Sequence, residues 1–197
     1  MTMYARVIKR LLDLLVSILC MPFLGFILIA IGPFIYLEDR GPIFYMADRV
    51  GMNKRVFKMY KFRSMKVNAP DIRNSDGSTF NSANDPRVTH IGKVIRRLSL
   101  DETAQMINVL KGDMSMIGPR PATPMILKDT TPLQEARFAV RPGITGYAQM
   151  MYRNSAQGEK RYEADKYYAE NVSFLLDLKI IFGTIKRVLM GRDLYNN

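Results

Sequence analysis

The sequence predicts a helix-rich α+β protein: an N-terminal re-entrant membrane helix, a small β-hairpin, and several short helices, some amphipathic and interfacial. Three observations predict it. Leu14 to Leu37 runs 24 residues without a charge. Ile43–Val50 and Arg55–Met65 read as two strands around the turn Gly51-Met52-Asn53-Lys54. After residue 86, short segments with helical spacing alternate with Pro/Gly turns.

With 197 residues the chain can bury a real core. It is expected to divide into residues 1–40, a re-entrant membrane anchor helix, and residues 41–197, a domain packed on the membrane face as part of one functional unit. A formal charge of +11 calls for an anionic partner: nucleic acid, acidic lipid or a phosphorylated small molecule. A lone cysteine, Cys20, excludes an internal disulfide, and a lone histidine, His90, excludes the usual Cys/His zinc site. A Ser-His-Asp triad could use only His90. Neither a Walker A loop nor G-x-G-x-x-G occurs, which argues against P-loop and dinucleotide chemistry.

The apolar run is long enough, at roughly 36 Å, to cross a hydrocarbon core of about 30 Å. Three readings compete. A cleaved signal peptide is disfavoured by the length of the run. A straight span is disfavoured by Pro22, which removes a backbone hydrogen bond, and by Gly25, Gly32 and Pro33. Arg6, Lys9 and Arg10 precede the run and Arg40, Arg49, Lys54 and Arg55 follow it, so the positive-inside rule puts both flanks in the cytoplasm. A helix that enters one leaflet, bends at Pro22 and returns accommodates all of this, with Ser17 placed to satisfy freed backbone groups.

Beyond the turn at Asp39-Arg40-Gly41-Pro42, the second strand sets Lys58, Lys61 and Arg63 among aromatics, either as a solvated face or as a binding face. Residues 66–86 are polar and lack an apolar period, as in a mobile lid or a disordered loop. Val88–Leu98 is a short basic helix ending in Arg96 and Arg97. These arginines either lower the pKa of Asp101 or form a structural ion pair.

Ser99 to Pro121 organises the chain. Ser99-Leu100-Asp101-Glu102 fits a capping box, with Lys111 and Gly112 closing the helix, and on that reading the acids are helix punctuation. Alternatively they are reactive. Gly118-Pro119-Arg120-Pro121 and Arg141-Pro142-Gly143 are stiff turns that each present a guanidinium. Thr131-Pro132-Leu133-Gln134 starts another helix. Residues 156–170 form a charged helix with Tyr162, Tyr167 and Tyr168. Ser173–Tyr195 is amphipathic, either a core helix or one lying in the headgroup plane.

A carboxylate beside another carboxylate can act as a nucleophile where cations neutralise the site. Two acids plus a diphosphate suit Mg²⁺, which would stabilise a leaving phosphate. Arg120 and Arg141 could grip phosphate oxygens in bidentate fashion. Phosphoryl transfer from a soluble diphosphate donor to a lipid acceptor fits these parts. A tethered protein that uses its basic face to bind nucleic acid or acidic lipid is the alternative; its binding would fall with salt and survive loss of Asp101.

Six motifs then occur in order: Lys61-Phe62-Arg63-Ser64-Met65; Asp85-Pro86-Arg87-Val88-Thr89; Leu98-Ser99-Leu100-Asp101-Glu102; Asn108-Val109-Leu110-Lys111-Gly112-Asp113-Met114-Ser115; Gly118-Pro119-Arg120-Pro121; and Arg141-Pro142-Gly143-Ile144-Thr145-Gly146. With them the chain resembles the bacterial sugar transferases, the monotopic phosphoglycosyl transferases, in their small catalytic-domain-only form, over nearly its whole length. The resemblance implies that Asp101 is the nucleophile that attacks a UDP-sugar and releases UMP. Polyprenol phosphate, usually undecaprenyl phosphate, then takes the phosphosugar. Glu102 completes the dyad, helping either with Mg²⁺, for which Asp101 and Glu102 are the implied ligands, or with the acceptor's proton. Arg96 and Arg120 match phosphate-binding positions, with Arg141 and Lys61 as further carry-overs on charge and motif. The implied setting is the cytoplasmic side of the bacterial inner membrane, against inner-leaflet phospholipid and with no nucleic-acid partner. Here the bend falls at Met21-Pro22, where Ser-Pro is commoner in the family.

Overall fold

The computed structural model describes residues 2–70, 72, 85–152 and 158–189. Most of the 66–86 loop, residues 156–157 and the segment from 190 onward lie outside the described residues.

A π-helical turn at Tyr4–Ile8 leads into α1, Lys9–Asp39, which continues through Pro22 and Pro33 and ends at a left-handed Arg40. One stripe of α1 packs inward: Asp13, Ser17, Leu24, Ile27, Gly32 and Ile35 are buried, while Leu11, Leu19, Phe26, Ile29 and Leu37 are exposed. Both ends bond to the rest of the protein. Near the start, the Arg10 guanidinium donates to the Val109 and Leu110 carbonyls, and Asp13 accepts from Ser115 Oγ and the Met116 amide. At the far end, Arg63 reaches Asp39 at 2.6 Å and the Ile35 carbonyl at 2.9 Å. The expectation for Ser17 is not met: its Oγ is fully buried and has no hydrogen-bond partner among the described residues.

The hairpin forms as read, with antiparallel β1, Phe44–Val50, and β2, Val56–Phe62. Asn53 and Lys54 supply positive φ in its turn. Phe57 and Met59 face one core cluster with Val109 and Met114, while Phe62, on the other face, joins Leu24, Ile27, Ile35, Ile95 and Ala104. This two-faced burial puts Lys61 on the same side as Phe57 and Met59, toward the interior.

α2, His90–Arg97, is capped by Thr89, whose hydroxyl accepts from the Gly92 amide. Gly92 runs so close to the β2 exit that a Cβ there would meet the Ser64 carbonyl. A 3₁₀ turn, Leu100–Gln105, and α3, Met106–Lys111, follow, closed by a left-handed Gly112. The capping box expected at Ser99 does not form. Ser99 has φ of 55°, whereas an N-cap needs an extended backbone for its hydroxyl to reach forward. Asp101 and Glu102 are therefore not held by a cap. The box does form at Thr131–Gln134, ahead of α4, Pro132–Glu135.

β3, Ser115–Ile117, pairs in parallel with β4, Gly143–Thr145, bringing the two arginine turns side by side. Then come α5, Tyr147–Tyr152, α6, Glu159–Glu170, and α7, Phe174–Leu189. α7 answers to both readings of its sequence. Ile180 and Asp177 are buried, with Asp177 accepting from Lys9, Tyr4 and Tyr168, while Leu175 and Phe182 stand exposed.

Candidate active site

Asp101 and Glu102 open the 3₁₀ turn, and β2 lies across it. Asn108 sets that alignment. Fully buried, it accepts from the Tyr60 amide and donates to the Lys58 carbonyl, taking the place of a strand partner along β2. Lys61 is thereby aimed at both acids, with Nζ 3.0 Å from Glu102 Oε1 and 3.6 Å from Asp101 Oδ2. From the Pro-flanked turn, Arg120 Nη2 reaches the same Glu102 oxygen at 3.2 Å. Arg96, at the end of α2, donates to Ser64 Oγ at 2.9 Å and lies within electrostatic reach of Asp101.

The two acids differ sharply. Burial lifts Asp101 above the usual carboxylate range. The Lys61 and Arg96 charges oppose this, and the neighbouring Glu102 charge adds to it. Arg96 thus pulls Asp101 downward, as one of the two readings of the basic helix has it, but loss of solvent outweighs that pull. Glu102 is also penalised by burial, but Lys61 and Arg120, by charge and hydrogen bond, hold it down at about 2. One acid is a fixed anion clamped by two cations. The other is buried with less compensation from cations, so its ionised form is more reactive.

The expected residues do not all meet. Lys61, Asp101, Glu102 and Arg120 form one cluster, with Arg96 beside it. Arg141 sits elsewhere: its Nε donates to the Gly112 carbonyl at the far end of α3, next to Arg10. The basic residues of β2 likewise separate. Lys58 is an exposed partner of Asp48, and Arg63 is buried as a strut to α1. His90 bonds Glu38 rather than either acid, so it lies outside the cluster. Sequence reasoning passed over Asn108 and Ser64 as individuals, although both stand inside quoted motifs. It also passed over Arg137, which donates to the Arg120 carbonyl at 2.6 Å.

Among the described residues no group of three or more His, Cys, Asp or Glu side chains converges as a metal cage. Mg²⁺ commonly takes one or two carboxylates plus substrate phosphates and water. Glu102 is already engaged by Lys61 and Arg120, so of the two acids Asp101 has fewer competing cations for such an ion.

The model of one protein family, described as bacterial sugar transferase, matches residues 4–191. The chain belongs to the bacterial sugar transferase family. Its relatives in that family include an Aeromonas hydrophila UDP-N-acetylgalactosamine-undecaprenyl-phosphate N-acetylgalactosaminephosphotransferase, 40% identical over 93% of this chain and 44% of its own length. The Escherichia coli UDP-glucose:undecaprenyl-phosphate glucose-1-phosphate transferase is 37% identical over 96% and 42%. A Bacillus subtilis protein named as an uncharacterized sugar transferase, EpsL, is 39% identical over 95% and 90%. The chain therefore spans less than half the length of the first two family members and nearly all of the third.

Proposed function

We propose that this protein transfers a sugar-1-phosphate from a UDP-sugar to undecaprenyl phosphate, through a phosphosugar carried on Asp101. The observation that carries the reading is the unequal acid pair, a poorly solvated Asp101 beside a Glu102 clamped between Lys61 and Arg120. Relatives named for this reaction with different sugars support it.

In the first step an ionised Asp101 oxygen attacks the sugar-proximal phosphorus. The bond to the bridging oxygen breaks, and UMP leaves with that oxygen. In the second step a phosphate oxygen of the acceptor attacks the same phosphorus and displaces the Asp101 carboxylate, giving a polyprenyl diphosphate sugar. Lys61, within reach of both acids, neutralises the site as the anionic donor enters. Arg120 engages phosphate oxygens while Glu102 holds its guanidinium in place, and Arg96 adds positive potential. Mg²⁺ bound with the diphosphate would supply charge stabilisation at the leaving phosphate.

The same reading places residues 1–40 in the cytoplasmic leaflet of the inner membrane and the catalytic domain on the cytoplasmic side. Bonds from both ends of α1 to one globular body support a re-entrant course, because a straight span would separate its ends across the bilayer. The exposed apolar faces of α1 and α7 suit contact with phospholipid.

The test is UMP release in lipid discs with Mg²⁺, undecaprenyl phosphate and a panel of UDP-sugars. One donor should yield UMP with the wild type and none with Asp101→Asn. Release that persists in the variant would contradict the assigned nucleophile.

A further inference from the structure

Arg120 is a long, half-exposed side chain whose tip must meet one oxygen of Glu102. A small rotation of its peptide would sweep the guanidinium away, so its backbone has to be fixed. Pro119 and Pro121 flank it and have no N–H with which to anchor the turn. The Gly118 amide and Pro119 carbonyl bond to the β4 strand, and the Ala122 carbonyl accepts from Val50. The Arg120 carbonyl itself is held by a side chain. Arg137 Nη2 donates to it at 2.6 Å and lies 3.1 Å from Asp165 Oδ2 on α6. The Arg137 and Asp165 side chains are 4% and 2% exposed, and the guanidinium lies over the Tyr162 ring, 5.4 Å from its centroid. A buried ion pair adds little net stability over an apolar replacement, but it fixes geometry.

We infer that Arg137, anchored by Asp165, is a positioning residue that sets the Arg120 peptide and so delivers the Arg120 guanidinium to Glu102. The link runs from α6 through Asp165 and Arg137 to the Pro-flanked turn, and it explains why a charge is buried beneath that turn. Only the kinetic consequence rests on the proposed function; the geometric claim does not.

The experiment reads the Arg120 guanidinium by ¹⁵N NMR in lipid discs, with its resonances assigned by Arg120→Gln. Arg120 Nη2 lies 3.2 Å from Glu102 Oε1, so Glu102→Gln shifts those resonances and marks the contact. Arg137→Gln is expected to move them in the same direction, and adding Glu102→Gln to it should move them no further than Glu102→Gln alone. Arg137→Lys should largely restore the wild-type resonances, because a single nitrogen makes both contacts. Should Arg137→Gln not fold, Arg137→Lys and Asp165→Asn give the same comparison. UMP release, read in parallel, should fall in Arg137→Gln on the order of a hundredfold, with no further loss when combined with Arg120→Gln. A folded Arg137→Gln with unchanged Arg120 resonances, or kinetic losses that simply multiply, would overturn the inference. A wild type that releases no UMP from any donor would instead overturn the proposed function and leave the NMR comparison standing.

Discussion

Asp101 is where chemistry and stability pull against each other. Its carboxyl is raised by burial, so stability from its neutral form is present below the unfolded-state pKa and is lost as pH rises through the folded value. Asp101→Asn removes that loss. The variant is expected to unfold at the same or a higher temperature than wild type at pH 7, while releasing no UMP. Calorimetry beside the UMP assay checks both halves, and a clear fall in Tm would contradict the burial argument. In the proposed reaction Asp101 attacks as the anion, so UMP release should decline as pH falls through a midpoint above the usual carboxylate range. Lys61 opposes the upward shift; Lys61→Gln should therefore move that acid limb to still higher pH and cut the rate by about ten- to a hundredfold. A pH–rate profile of the two proteins decides this.

At the scale of elements, the acid pair depends on how α3 and its 3₁₀ entrance lie on β2. Asn108 makes that contact with two hydrogen bonds to the Tyr60 amide and the Lys58 carbonyl. Asn108→Ala leaves both part-buried backbone groups without their partner, and a loss of about 1–3 kcal/mol is expected in denaturant unfolding. UMP release should fall with it, since Lys61 loses its register against the acids. The hairpin was legible in the sequence because its turn and apolar period are local signals, and so was the helix start at Thr131. Ser99 was misread because a capping box and a left-handed residue before a 3₁₀ turn can share one sequence; only the backbone dihedral separates them. Lys61 was legible as a candidate from its motif and charge, but its inward aim depends on the two-faced burial of β2, which no local pattern reports. Arg141 shares the Pro-Gly stiffness of the Arg120 turn, yet tertiary packing takes it to the far end of α3. Sequence stiffness marks a presented arginine without saying where it is presented.

For the whole molecule, the apolar helix is part of the fold as well as its attachment. Leu24, Ile27 and Ile35 share a core cluster with Phe62, Ile95 and Ala104, and Asp177 of α7 is bonded by Tyr4 and Lys9 from the N-terminal segment. Composition revealed the length and apolarity of this helix, but the stripe it buries follows from packing. With Cys20 replaced by serine, single cysteines introduced at Thr2 and Arg40 should both react with an impermeant thiol reagent from the cytoplasmic side of oriented vesicles, and neither from the opposite side. Labelling from opposite sides would establish a span and contradict the re-entrant course.

The most direct test of the central claim is intact-protein mass after mixing with the cognate UDP-sugar in the absence of lipid acceptor. Wild type should release one UMP per active molecule and gain the mass of one sugar phosphate, mapped by peptide sequencing to Asp101 and discharged on adding undecaprenyl phosphate. Asp101→Asn should gain nothing. Steady turnover that requires both substrates together, with no mass gain at Asp101, would contradict the covalent account.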